Sequence, residues 1–138
     1  MNIESTIEYL FVYGTLRRDV TPSKHALLAE WVEWVAYATL QGRLYEVAGY
    51  PGAVLSAEAP SEIVIKGELF RILDSAALWP ILDDYEECSV HVEQPHEYLR
   101  QRVWVQTDQK QAVQAWTYLY NRPTDGLHWI ESGDYQSF

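Results

Sequence analysis

Tyr9-Leu10-Phe11-Val12-Tyr13-Gly14-Thr15-Leu16-Arg17 reads as a strand that stops abruptly. Its β-branched and aromatic residues are of the kind that strands ordinarily bury. Gly14 follows at the point where a backbone can take φ > 0 or approach a ligand with no Cβ in the way. The N–H groups of Gly14, Thr15 and Leu16 then form a candidate site for a carboxylate or an oxyanion, as successive amides do in anion-binding nests. Many strands end at glycine in an ordinary turn, so the meaning of this one depends on the rest of the chain.

Residues 7–13 make a first strand. Thr21-Pro22-Ser23 signals a helix start, Thr21 as N-cap and Pro22 at the first helical position, with Leu27, Leu28, Trp31 and Val35 as its apolar face. A strand over 37–47 follows, in which Gly42 marks a bulge or a close backbone approach. Tyr50-Pro51-Gly52 reads as a turn before a short strand from Ala53 to Ser56, and residues 57–62 as a loop. Ile63 to Ile72 alternates, with Ile63, Ile65 and Leu69 on one face and Lys66, Glu68 and Arg71 interleaved.

Asp74 caps a second helix carrying Leu78, Ile81, Leu82 and Tyr85, with Pro80 expected to kink or distort it. Tyr98 to Gln106 and Gln111 to Tyr120 form a hairpin around Thr107-Asp108-Gln109-Lys110. The tail from Pro123 reads as loop, anchored by Trp129 and Ile130. This order of elements indicates an α+β fold with a mixed sheet of about six strands and two main helices, because a doubly wound sheet needs regular alternation.

The 138 residues suit a single domain spanning 1–138, and 48% of them are apolar or aromatic, enough for a core without staples. Twenty acidic residues against ten basic ones give a formal charge of −10, which argues against nucleic acid as a partner. No apolar run reaches the ~20 residues that span a bilayer, and the N-terminus carries no signal-like pattern. A lone Cys88 allows no internal disulfide, so a cytoplasmic setting is expected. Cys88 reads as an inert thiol, with no obvious partner base. The four histidines have no metal-ligand spacing, and no metal or organic cofactor is expected. Arg17 reads more readily as a surface arginine than as a ligand for an acidic group.

The second candidate site is Leu82-Asp83-Asp84-Tyr85-Glu86-Glu87-Cys88, at the end of the second helix. Asp83, Asp84 and Glu87 read as a solvated acidic surface. Glu86 lies at the edge of the buried face, where burial, acidic neighbours and the helix C-terminus would all raise its pKa toward that of a general base. Perturbed carboxylates also occur in purely structural networks.

The opening block resembles that of the gamma-glutamylcyclotransferase-like family. Gly42-Arg43-Leu44-Tyr45 with Tyr50-Pro51-Gly52, Ile65 to Phe70, Leu82 to Glu86, Tyr98 to Val103, Ala115 to Asn121 and Ser132 to Tyr135 are similar to its later blocks, in order over about residues 8–135. Glu87 stands where the family usually has glycine, the stretch from Cys88 to Glu97 is long, and Asp19 to Ser23 replaces a Gly- and Asn-containing loop.

The resemblance implies a sheet curled into a small barrel and a pocket between the first strand's end and the second helix's end. It also implies release of 5-oxoproline from a γ-glutamyl amino acid or γ-glutamyl amine by internal attack of the substrate's α-amine. Glu86 would be the general acid/base. Tyr13, Gly14, Thr15 and Leu16 would grip the glutamyl unit, and Tyr98 and Tyr118 would turn hydroxyls into the pocket. The alternative is a binding or regulatory module that keeps the pocket without turnover, since fold does not settle activity. The only partner implied is the small-molecule γ-glutamyl substrate; oligomeric state is left open.

Overall fold

A computed structural model of the protein describes residues 7–56, 63–86 and 97–135. Its strands are β1 (Tyr9–Val12), β2 (Val32–Val47), β3 (Tyr50–Leu55), β4 (Val64–Ile72), β5 (Tyr98–Thr107), β6 (Ala112–Tyr120) and β7 (His128–Ile130), with one α-helix, α1 (Ser75–Tyr85). β2 pairs with β4, β4 with β1, β1 in parallel with β6, and β6 with β5. β5 returns to β2 through Ala38↔Thr107 and Thr39↔Gln106, which closes a five-stranded barrel. The fold is thus the expected α+β arrangement around a curled mixed sheet.

β2 belongs to two sheets. Up to Gln41 it pairs with β4 in the barrel; from Gly42 it pairs with β3, and Leu44 to Glu46 also pair with β7. Gly42 sits at this junction, where a Cβ would come within 2.4 Å of the Val54 carbonyl oxygen. Close approach is therefore its role; the irregularity in β2 falls earlier, between Trp34 and Ala36. The β2–β3 hairpin turns at Ala48-Gly49, both at positive φ (51° and 95°), with Val47 facing Tyr50. That is the sense of twist that suits a two-residue hairpin. It moves the turn back from the expected Tyr50-Pro51-Gly52, which instead begins β3.

β1 explains its own sequence. Phe11 joins the barrel interior with Leu40, Leu69, Val105 and Leu119, while Leu10 and Val12 face Leu78 and Leu82 of α1. A strand covered on both sides needs an unbroken apolar run. β4 is likewise covered on both sides toward its end. Glu68, expected to face outward with Lys66 and Arg71, is fully buried.

The expected first helix does not form. His25–Leu27 and Ala29–Trp31 are two short 3-10 turns, and β2 has begun by Val32. The reason lies in the bonding: Lys24 N–H donates to Thr15, Leu28 N–H donates to His25, and Val32 aligns with Ile72 of β4. Leu28 alone of the expected apolar face is fully buried, whereas Leu27 and Val35 are exposed. The second helix forms as expected, Asp74 accepting from Ala77 N–H at 3.1 Å, and it runs through Pro80 to Tyr85. The tail, expected as loop, contributes β7, whose Ile130 is buried in the barrel. The 57–62 loop and Cys88 lie outside the described residues. No helix among the described residues is long and apolar enough to cross a membrane.

Candidate active site

A cavity of about 330 Å³ opens where the end of β1 meets the end of α1. Tyr13, Gly14, Thr15, Leu16, Glu86, Tyr98 and Tyr118 all line it, so every site residue expected from the sequence falls on one surface. Tyr50, Pro51 and Tyr135 complete much of the wall, and sequence reasoning did not assign them there; Glu97, at the end of the long stretch before Tyr98, lines it too, as expected of that stretch.

The loop after β1 is tied to itself and turned outward. Gly14 O accepts from Arg17 N–H at 3.0 Å, Thr15 O from Lys24 N–H at 2.6 Å, and Arg17 O from Ser23 Oγ at 2.6 Å. His25 Nδ1 lies 3.2 Å from Leu16 O, and because a carbonyl can only accept, Nδ1–H is the donor; burial lowers the ring's pKa. None of the partners Arg17, Ser23, Lys24 and His25 lines the cavity. Because C=O and N–H point oppositely across a trans peptide, these bonds turn the Thr15 and Leu16 amides away from the loop's interior. Gly14 is required here by proximity: a Cβ would stand 2.8 Å from the Pro51 ring.

Arg17 is not at the surface as expected. It is 5% exposed, with Nε and Nη2 forked onto Asp19 at 2.8 and 2.9 Å and Nη1 on Asp134 at 3.0 Å. The guanidinium holds Asp19 below the usual carboxylate range. Arg18 N–H donates to Glu68 Oε1 at 2.8 Å, and burial pushes the Glu68 pKa upward. The loop is thereby bolted to the sheet from below.

Glu86 caps α1, its N–H donating to Leu82 O at 2.8 Å. Burial of its carboxyl raises the pKa from 4.5 to about 7. Of the three influences suggested by the sequence, burial is the one seen among the described residues. Asp83 is not a solvated neighbour: it accepts from the Tyr118 hydroxyl at 2.6 Å and faces Arg100 at 3.6 Å. Asp84 is exposed as expected, and Glu87 lies outside the described residues. Beside Glu86, Tyr85 shares a hydrogen bond of 2.8 Å with Thr15, which joins the helix end to the β1 loop across the cavity.

The tyrosine hydroxyls are spoken for. Tyr13 donates to Tyr118 O at 2.6 Å and accepts from Ala53 N–H at 3.3 Å. Tyr98 donates to Pro51 O at 2.8 Å, and Tyr50 donates to the Glu97 carboxylate at 3.0 Å. Burial and the nearby Glu86 charge push the Tyr13 and Tyr98 pKa values upward, so both stay protonated. His25 is engaged with the loop, and no three His, Cys, Asp or Glu side chains among the described residues are grouped to hold a metal ion.

A five-stranded barrel with a carboxylate at a helix end facing a Gly-Thr-Leu loop defines a class. The family model for gamma-glutamyl cyclotransferase, AIG2-like, matches residues 10–137, and the chain belongs to that family. The chain is 35% identical over 133 residues to the gamma-glutamylcyclotransferase family protein YtfP of Escherichia coli, covering 91% of this chain and 94% of that one. The solution structure of the Escherichia coli protein superposes with a TM-score of 0.60 over 94% of this chain and 96% of its own. YkqA of Bacillus subtilis matches at 31% identity and a TM-score of 0.67, over 94% of this chain but only 40% of that longer one. An AIG2-like protein of mouse, at 22% identity, shares the fold with a TM-score of 0.67 over 92% of this chain and 88% of its own.

Proposed function

We propose that the protein is a cyclotransferase that releases 5-oxoproline from a γ-glutamyl amino acid or γ-glutamyl amine, with Glu86 as general acid and base. The observation that carries this reading is the meeting in one cavity of the Glu86 carboxyl, whose pKa burial raises to about 7, and the Gly14-Thr15-Leu16 loop. A carboxylate poised near neutral pH can both take and return a proton.

The substrate brings its own nucleophile, so no Ser-His or Cys-His pair is needed. Glu86 takes a proton from the α-ammonium, and the freed amine attacks the γ-carbonyl carbon to close a five-membered ring. As the C–N bond to the leaving amine breaks, the proton held by Glu86 passes to the leaving nitrogen. The ring nitrogen sheds a second proton, which follows the same route. Two protons therefore leave the α-nitrogen and two arrive on the leaving amine, with no external oxidant or reductant. The loop amides hold the α-carboxylate, and clamping amine and carbonyl at attack distance supplies an effective molarity equivalent to roughly 7–11 kcal/mol.

Incubation with a panel of γ-glutamyl amino acids and γ-glutamyl amines tests the reading. The expected result is 5-oxoproline and free amine in equal amounts from at least one member. Binding of a panel member with no 5-oxoproline released would make the protein a binding module instead.

A further inference from the structure

Glu68 is a carboxyl with no exposure to solvent, carried on β4 opposite Val12 of β1 and Tyr37 of β2. One of its oxygens is accounted for, since Oε1 accepts from Arg18 N–H at 2.8 Å. The other, Oε2, is buried and meets no donor among the described residues. A buried oxygen that carries charge and lacks a donor is costly. The side chain in hydrogen-bonding contact with Glu68 is Asp19, a second carboxyl, which as an anion has nothing to donate.

One proton resolves the conflict. Two carboxyls that share a site do not both ionise cheaply, and their surroundings decide which keeps the charge. Asp19 keeps it: Arg17 is forked onto both of its oxygens at 2.8 and 2.9 Å, and its side chain is 33% exposed. Glu68 has no such cation. Arg18 Nε stands 3.9 Å from Oε1, the oxygen already in use, and its guanidinium lies over the Trp34 ring at 3.7 Å. Of the other titratable groups nearby, Tyr37 packs on Trp34, His25 stacks on Phe70, and Lys66 is exposed. Burial, and then the Asp19 charge, raise the pKa of Glu68.

We infer that Glu68 is a positioning residue which holds the cavity loop as a neutral carboxylic acid, its hydroxyl donating to Asp19 while Oε1 accepts from the Arg18 amide. The proton thus ties β4 to two successive residues just beyond Gly14, Thr15 and Leu16. An ionised Glu68 would set two anions against each other beneath that loop. This goes beyond the γ-glutamyl reading and does not depend on it.

The test uses a Glu86→Gln background, so that the titration of Glu86 does not intrude. With carbon-13-labelled glutamate, infrared spectra at pH 7 should show the band of a carboxylic acid, and adding Glu68→Gln should remove it. Glutamine reproduces both contacts of the neutral form, its oxygen accepting from Arg18 N–H and its NH2 donating to Asp19. Glu68→Gln should therefore fold, melt no lower than the background at pH 7, and keep the Arg18 amide protected from hydrogen exchange. Unfolded Glu68 ionises near 4.5 while the folded carboxyl resists, so the background should lose stability relative to the double variant as pH rises above that value. Glu68→Ala lacks both contacts and should lose the Arg18 protection. For a γ-glutamyl substrate, the same change made with Glu86 intact should raise KM about ten-fold, the scale of a hydrogen bond to a charged group, with kcat changed less.

A carboxylate band lost in place of the acid band would overturn the inference, as would melting curves that stay parallel from pH 4 to 8. So would a Glu68→Gln protein that does not fold or melts several degrees lower. Equal Arg18 protection in Glu68→Ala would remove the positioning role; if Glu68→Ala does not fold, the Glu68→Gln readings decide. The spectra, melting curves and exchange need no turnover, so they stand whether or not a γ-glutamyl compound proves to be the substrate.

Discussion

Glu86→Gln is expected to lose ~10²–10⁴ in kcat, the scale for removing a general base, while still binding a γ-glutamyl ligand. The amide nearly matches the carboxyl in size but cannot take the ammonium proton. The same substitution should stabilise the fold at neutral and alkaline pH. With a folded pKa of about 7 against 4.5 for the free group, the carboxyl is neutral in both states below pH 4.5 and contributes no penalty there. As pH rises through 7 the unfolded chain is already ionised and the folded state resists. The wild type therefore loses about 3 kcal/mol of stability across that window. Melting curves from pH 4 to 8 should fall for the wild type relative to the variant. Parallel curves would mean that Glu86 is not held neutral by burial, and retained kcat would remove it from the chemistry.

The second large effect is at Arg17. Arg17→Ala strips two carboxylates of their shared cation and loosens the loop that lines the cavity. Breaking a buried ion pair costs roughly 3–5 kcal/mol. Asp19 and Asp134 keep 33% and 27% side-chain exposure and can rehydrate, which favours the lower end, about 3 kcal/mol. In a chain of this size that is a fall of about 10 °C in Tm. KM for a γ-glutamyl substrate should rise at least ten-fold, with kcat changed less. Arg17→Lys should recover little of this, since an ammonium cannot reproduce the forked contact with Asp19. A Tm within a degree or two of wild type and an unchanged KM would show that the loop stands without the pair.

What the sequence revealed followed from whether local chemistry and tertiary context agreed. Asp74 with the Leu78–Leu82 spacing called for a capped helix, and nothing in the fold opposed it. Thr21-Pro22-Ser23 called for a helix too, yet the donors that would have built it were claimed by Thr15 and by strand β4. β7 is three residues long, too short for alternation to register, and exists because β2 offers it an edge.

The site shows the same division. Glu86 and the Gly14 loop were legible because each ends a regular element. Asp83, Arg17 and Glu68 were read as surface charges because their partners, Tyr118, Asp134 and the Arg18 amide, lie far along the chain. Only the fold brings them together. Glu97 lines the cavity through contacts with Tyr50 and Arg122, again across distant segments.

The claim that a burial-tuned Glu86 moves the proton in a γ-glutamyl cyclisation is tested most directly by the pH dependence of kcat/KM for 5-oxoproline release. The account predicts a limb rising through about pH 7 as Glu86 ionises in the free enzyme. The corresponding limb in kcat should lie at lower pH, because a bound ammonium favours the carboxylate. A kcat/KM that is flat from pH 5 to 9, or that rises only near pH 4.5, would contradict it.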